Sequence, residues 1–125
     1  MPVSHGIGFG SFTEIKQEHL THLCGRLFAT ARKIIRKPKN QEWADGILTV
    51  FDITAGSGEH PETGAEGSPL ILRSLLRQAN VPYRLYCIER EAENCRRLQD
   101  AIGGDRNVEI HHGDHCQILP ALLKS

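Results

Sequence analysis

Three acidic side chains follow three predicted strands, where they could bind one ligand. Asp52, Glu89 and Asp114 each lie at or just past the end of a segment with strand-like composition. The carboxyl ends of parallel strands meet at one edge of a sheet, which is where open α/β proteins bind nucleotide-like ligands. A carboxylate there accepts hydrogen bonds from a ribose. One such acid is typical of any protein surface, whereas three at successive strand ends predict a binding site.

A turn of small residues follows the first acid. After Asp52 the chain continues Ile-Thr-Ala-Gly-Ser-Gly. Gly56 and Gly58 let the backbone bend sharply and approach a ligand without a Cβ in the way. The alternative is a tight turn in which glycine is needed only for the backbone conformation and no ligand is bound.

The spacing between this turn and the second acid is longer than in a dinucleotide-binding fingerprint. There the ribose acid follows the glycines by about 20 residues, whereas Gly58 and Glu89 are 31 residues apart. The polar loop 59–67 accounts for the excess if it is an insertion. It is either a solvated surface loop or a lid in which His60 or Glu62 acts as a base.

Apolar spacing predicts an alternating order of helices and strands. Ser11 and Glu14 form a capping-box pattern before the first helix, and Ser68 before Pro69 predicts an N-cap. Two βαβ units predict a parallel sheet with strand order 3-2-1. We expect residues 1–11 to be a flexible N-terminus and 12–125 to be one domain. The predicted elements are a helix over 13–36, a strand over 47–53, a helix from 68 to about 80, a strand over 83–89, a helix over 91–102, a strand over 107–112 and an apolar turn or short helix over 114–123.

The turn and the strand ends together resemble the cofactor-binding half of a class I S-adenosylmethionine-dependent methyltransferase. Phe-Asp-Ile-Thr-Ala-Gly-Ser-Gly (51–58) resembles the first motif of that family, Cys-Ile-Glu-Arg (87–90) the second and Gly-Asp-His-Cys (113–116) the third. Glu-Gly-Ser-Pro-Leu-Ile (66–71) is similar, more narrowly, to the three-Cys-motif partner proteins. The resemblance implies an α/β, partial Rossmann-like methyltransferase fold with a long N-terminal helix.

The resemblance also implies S-adenosylmethionine as the cofactor and gives the site residues their roles. Glu89 would bind the ribose, and Asp114 with His115 would lie at the adenine edge. Asp52 would orient the glycine turn or accept the methionine amine of the cofactor. No catalytic residue is implied. The implied cofactor site comprises Asp52, Ala55, Gly56, Gly58, Glu89, Asp114 and His115.

The chain differs from that family after its third strand. Neither a fourth strand nor an Asn/Asp-Pro-Pro-aromatic signature follows, so we expect the usual C-terminal half to be lacking. The expected function is a methyltransferase, or its cofactor-binding half, with an unknown acceptor. The alternatives are a non-catalytic interaction or regulatory module and a nucleotide binder of the NAD type. Since the first strand is an edge of the predicted sheet, we expect self-association or pairing with a second chain there.

Composition narrows the other possible functions. The chain has 15 lysine and arginine residues and 15 aspartate and glutamate residues. Its net charge is therefore zero and does not favour binding to nucleic acid or to a membrane surface. Every apolar segment is shorter than the roughly 20 residues of a membrane span. The N-terminus lacks the features of a signal peptide. The four cysteines form no CxxC pair, which predicts reduced thiols in a cytoplasmic protein.

A basic run surrounds the end of the first predicted helix. Cations at that position complement the helix dipole and are usually solvated. Contact with nucleic acid is the alternative, although no aromatic residues for base stacking accompany the run. The run comprises Arg32, Lys33, Arg36, Lys37 and Lys39.

Four residues near the third strand have side chains that bind metals. They are His111, His112, His115 and Cys116. Alternation along a strand directs His111 and His112 to opposite faces, so they cannot easily share one ion. We therefore predict no metal site.

Overall fold

The structure, a computed structural model, describes residues 13–37, 46–53, 55 and 67–124, and within the first helix it describes side chains from Glu18 onward. The N-terminal segment 1–11, which was expected to be flexible, lies outside the described residues. The predicted order of elements is confirmed, and the segment after Asp114 is a helix. The elements are α1 (Thr13–Arg36), β1 (Leu48–Asp52), α2 (Ser68–Gln78), β2 (Tyr83–Glu89), α3 (Ala92–Ile102), β3 (Val108–His112) and α4 (His115–Lys124).

The three strands form one parallel sheet with β2 in the middle. The order β1-β2-β3 agrees with the predicted order. Val50 pairs with Leu85, and Leu85 pairs with Val108, so this row of side chains crosses the whole sheet. The α/β class and the parallel arrangement of the strands are therefore confirmed.

The hydrophobic core lies on one face of this sheet. Leu85 and Cys87 of β2 are fully buried there, as is Leu98 of α3. Phe28 brings α1 into the same core, and α1 packs mainly against α2. The middle strand therefore has almost no exposed side chain on this face, as expected for a strand between two neighbours. The remaining core residues are Ala55, Leu72, Leu75, Leu76, Tyr83, Ile102 and Val108.

The opposite face of the sheet has an aromatic row. The rings of Phe51 and Tyr86 stack with centroids 5.0 Å apart, and His111 lies 6.2 Å beyond Tyr86. Ile88 is fully buried on this face but does not belong to the core cluster. The helix α4 contacts β2 without adding any side chain to that cluster. This face is therefore less completely covered than the core face.

The acid Asp105, whose side chain is 7% exposed, joins the elements at the amino-terminal edge of the sheet. Asp105 Oδ2 accepts a hydrogen bond from the Tyr83 hydroxyl at 2.8 Å, and Oδ1 accepts one from the Asn107 N–H at 2.8 Å. Arg77 lies 3.3 Å and Arg73 lies 3.8 Å from Asp105 Oδ2. The loop before β3 is thus attached to both α2 and β2, at the edge opposite the predicted site.

In the part of the chain that the structure describes, no helix combines the length and the apolarity needed to cross a membrane.

Candidate functional site

Asp52 ends β1 as a buried acid with a short hydrogen bond. The residue is 8% exposed, and its Oδ2 accepts a hydrogen bond from the Ser68 hydroxyl at 2.6 Å. The prediction that Ser68 is the N-cap of α2 is wrong. Gly67 occupies the N-cap position and no side chain caps the helix. Ser68 is the first residue of α2, and its hydroxyl donates to the acid, whereas a capping hydroxyl accepts a backbone N–H from the N-cap position.

Ala55 attaches the turn after β1 to the neighbouring strand. Its N–H donates to the Ile88 carbonyl at 3.2 Å, and the residue is 4% exposed. Ala55, three residues after the end of β1, therefore still lies against β2. Gly56 and Gly58, and the loop 59–66 with His60 and Glu62, lie outside the described residues.

Glu89 ends β2 as the second buried acid, with 8% of the residue exposed. Its Oε2 accepts the backbone N–H of Glu91 at 2.8 Å and the Asn94 amide at 3.4 Å. Glu91, the N-cap of α3, makes no side-chain cap of its own. The Glu89 carboxylate therefore satisfies a backbone donor at the entrance to α3 and has a fixed orientation at the strand end.

Asp114 differs from these two acids because half of its side chain is exposed. Its Oδ1 accepts the Cys116 N–H at 2.8 Å, which is an N-cap interaction at the start of α4. That backbone hydrogen bond is the main reason that the pKa of Asp114 lies below its ordinary value. His115 Nδ1 lies 4.0 Å from the same oxygen. Asp114 therefore has a structural role in addition to any ligand contact.

The structure brings the predicted strand-end residues to one edge. Asp52 pairs with Cys87 and Glu89 pairs with His112, so both acids project from the core face of the sheet. Standard strand spacing places their Cα atoms about 8 Å apart. Burial, and then the charge of Asp52, raise the pKa of the Cys87 thiol to about 12. Asp52 and Glu89 thus lie on the same face at the ends of adjacent strands, with Asp114 beyond β3.

One cluster of possible metal ligands is evident in the structure but could not be recognised from the sequence. The ligand atoms of Asp114, His115 and Cys116 lie within 4.8 Å of one another. Of the four residues near the third strand that could bind a metal, His111 and His112 are not part of this cluster and have other contacts. His111 Nε2 lies 3.4 Å from Glu109 Oε1, and His112 Nε2 lies 2.9 Å from the Arg90 carbonyl. Strand alternation excluded those two but gave no information on the first turn of α4, where three consecutive residues converge.

The basic run is in part structural. Arg36 donates from its guanidinium to the Asn80 carbonyl at 2.9 Å. Asn80 has a positive φ of 55° just after α2, so this contact stabilises a strained helix end. Lys33 and Arg36 are in the last turn of α1, and Lys39 lies outside the described residues. Nucleic-acid binding by this run remains a prediction.

A groove of about 320 Å³ lies between α2 and α3. Its lining follows α2 from Leu70 to Gln78 and includes Ala101 and Ile102 at the end of α3, and Arg73 and Arg77 of this lining also contact Asp105 at the amino-terminal edge. Helices that connect parallel strands run antiparallel to them, so this groove opens at the amino-terminal edge of the sheet. It is therefore separate from the acids at the carboxyl edge.

Comparison with known proteins adds no family assignment. A scan against protein-family models gave no match, and a search of curated proteins found no similar sequence. The resemblance to methyltransferases therefore depends on the motifs themselves.

Proposed function

We propose that this chain binds S-adenosylmethionine at the carboxyl edge of its sheet, as a methyltransferase or as the cofactor-binding half of one. The fold would then be a partial Rossmann-like domain. The observation that supports this most is the pair of acids, Asp52 and Glu89, each 8% exposed at the ends of adjacent strands. Each carboxylate has hydrogen-bond partners that hold it in a fixed orientation at this edge. A site that binds a cation and a ribose gives both carboxylates a use.

The fixed geometry of Glu89 favours this role. Two donors, the Glu91 N–H and the Asn94 amide, orient its carboxylate before any ligand arrives. A pre-oriented group loses less conformational freedom on binding, so more of the interaction energy appears as affinity. The Ser68 hydroxyl orients Asp52 in the same way.

The chemistry of such an enzyme divides between cofactor and protein. A sulfonium cofactor supplies an activated methyl group, and the protein positions the acceptor in line with it. In this chain Glu89 would fix the ribose, and Asp52 would orient the turn after β1. Asp114 and His115 would border the adenine. The acceptor and the catalytic base are not assigned.

A non-catalytic interaction module is the second candidate, and α1 is the observation that favours it. Leu23 and Leu27 are 68% and 56% exposed and lie one turn apart on this helix. Exposed apolar side chains that group on one face are typical of protein-binding surfaces. This candidate predicts no affinity for the cofactor.

Self-association at the β1 edge belongs to the same proposal. Within the described residues β1 pairs with β2 alone, and it lies at one end of the sheet. An edge strand is a template for pairing with another chain. Light scattering at working concentration tests it, and a monomer would contradict it.

Isothermal calorimetry with S-adenosylmethionine and S-adenosylhomocysteine tests the main proposal, with NAD as the comparison ligand. We expect the first two to bind and NAD to bind more weakly. Glu89→Gln should weaken binding by about 10- to 150-fold, the equivalent of about 1.5–3 kcal/mol for lost hydrogen bonds to a charged group. The amide oxygen of glutamine can still accept the Glu91 N–H, so the fold is preserved.

Asp100→Asn is the matched control, because Asp100 is an exposed acid on α3 and the change in charge is the same. It should leave the affinity unchanged. Absence of binding by the unmodified chain would reject cofactor binding and favour the interaction module. Stronger binding of NAD would favour the dinucleotide alternative.

A further inference from the structure

Three consecutive residues converge at the start of α4. Asp114 caps this helix, and His115 and Cys116 occupy its first turn. One ligand atom from each residue lies within 4.8 Å of the other two. His115 Nε2 and Cys116 Sγ are 3.6 Å apart.

This separation matches the geometry of a bound zinc ion. With Zn–N of about 2.0–2.1 Å, Zn–S of about 2.3 Å and a tetrahedral angle, the two ligand atoms are about 3.6 Å apart. No two ligand atoms in the group are more than 4.8 Å apart, which is at most about 1.2 Å beyond that value. Asp114 and Cys116 are exposed, so small side-chain rotations are enough to close the difference. The geometry points to a Zn²⁺ site formed by Asp114, His115 and Cys116.

The donor set selects the type of metal. A thiolate and an imidazole favour Zn²⁺ over Mg²⁺ or Ca²⁺, which take oxygen ligands. Three protein ligands leave the fourth tetrahedral position for water or another molecule. The site is therefore of the open type and not a closed structural centre.

Charge at the helix start is compatible with a bound cation. The first-turn amides carry partial positive charge, which opposes a bare cation and favours an anion. The Cys116 thiolate and the Asp114 carboxylate together neutralise the two charges of the zinc ion. The amides then face a neutral complex. The Cys116 N–H fixes Asp114 Oδ1 by a hydrogen bond of 2.8 Å, which orients this ligand as outer hydrogen bonds commonly do.

Zinc binding does not depend on the proposed cofactor site, although Asp114 and His115 occur in both. Cys116 belongs to the metal site alone, and Glu89 belongs to the cofactor site alone. Cys116→Ser and Glu89→Gln therefore test the two proposals separately. The zinc site and the cofactor site can therefore be supported or rejected independently of each other.

Titration of the metal-free, reduced chain with Zn²⁺ in the presence of a competing chelator tests this site. We expect one zinc ion per chain. Cys116→Ser should weaken binding by at least about 100-fold, because loss of a direct ligand exceeds the 10- to 100-fold effect of an outer partner. Cys24→Ala, which removes a half-buried thiol on α1, should leave the affinity unchanged. Co²⁺ should give a thiolate charge-transfer band in the unmodified chain and none in Cys116→Ser.

Alkylation mapping on the unmodified chain gives a second readout that needs no variant. Zinc should slow the alkylation of Cys116 and leave that of Cys24 unchanged. Equal zinc affinity in the unmodified chain and Cys116→Ser, no zinc binding, or no protection of Cys116 would overturn the proposal. Loss of zinc binding in His22→Gln alone would assign the ion instead to the exposed pair His19 and His22 on α1.

Discussion

Replacing Ser68 by alanine tests whether the buried acid at the end of β1 depends on its hydrogen bond. The Ser68 hydroxyl donates to Asp52 Oδ2 at 2.6 Å, and Asp52 is 8% exposed. A hydrogen bond to a charged group contributes about 1.5–3 kcal/mol to stability. Alanine recovers up to about 0.7 kcal/mol because its helix propensity is higher. We therefore expect Ser68→Ala to lower the free energy of unfolding by about 1–2.5 kcal/mol.

A double-mutant cycle with Asp52→Ala isolates this hydrogen bond from other losses at the two positions. Urea unfolding of the unmodified chain, both single variants and the double variant gives the four free energies. The loss in the double variant should be smaller than the sum of the single losses by about 1.5–3 kcal/mol.

The control cycle pairs Asp52→Ala with Ser74→Ala. Ser74 is on the same helix, but its hydroxyl accepts a hydrogen bond from the exposed Gln78 side chain. That cycle should be additive. Additive losses for Ser68 and Asp52 as well, within about 0.5 kcal/mol, would refute the reasoning, because the same cost would then come from a local helix effect at Ser68.

Three further predictions concern pH and backbone conformation. Burial opposes ionisation of Asp105, but hydrogen bonds from Asn107 and Tyr83 outweigh it and lower its pKa. Its contribution to stability is complete above the ordinary value of 3.8 and is lost as the pH falls through the lower folded value, so Asp105→Asn should flatten the acid limb of a urea-midpoint profile. The pKa of Cys87 rises from 9.0 to about 12. Stability should therefore decline above pH 9.0 as the unfolded thiol ionises, and Cys87→Ala should remove this part of the decline. Gly113 has φ of 152°, and a Cβ there would lie 2.6 Å from Ile118 Cδ1. Gly113→Ala should cost about 1–3 kcal/mol in thermal unfolding, whereas Gly104→Ala, which has open space, should remain within about 0.5 kcal/mol of the unmodified chain.

Most of the architecture could be predicted because local patterns determine it. The apolar spacing that predicted helices over 13–36 and 91–102 gave bounds that agree with the structure to within a residue or two. The parallel order follows from two consecutive right-handed crossovers.

The role of Ser68 could not be predicted because its partner is distant in sequence. A serine before proline is an N-cap signal, and capping rules consider only the next few residues. Asp52 lies 16 residues earlier. The two residues meet only in the folded chain, so capping rules give no information on this contact.

Helix capping alone explains part of the strand-end pattern. Glu89 and Asp114 each accept the backbone N–H two residues later at 2.8 Å, at the start of the following helix. An acid is useful at that position in any βα unit, so two of the three acids are weaker indicators of a ligand than the sequence suggests. The two acids differ in burial, since Glu89 is 8% exposed while half of the Asp114 side chain is exposed.

The burial of Glu89 does not shorten its capping hydrogen bond, because the exposed Asp114 makes a capping hydrogen bond of the same length. We propose that a ligand uses the Glu89 carboxylate, because its hydrogen bonds hold it in a fixed orientation at the carboxyl edge of the sheet. Glu89→Gln separates the two roles, because glutamine retains a cap acceptor and loses the charge. Weaker cofactor binding at nearly unchanged stability would indicate a ligand contact. Lower stability with unchanged ligand affinity would show that Glu89 serves only the entrance of α3.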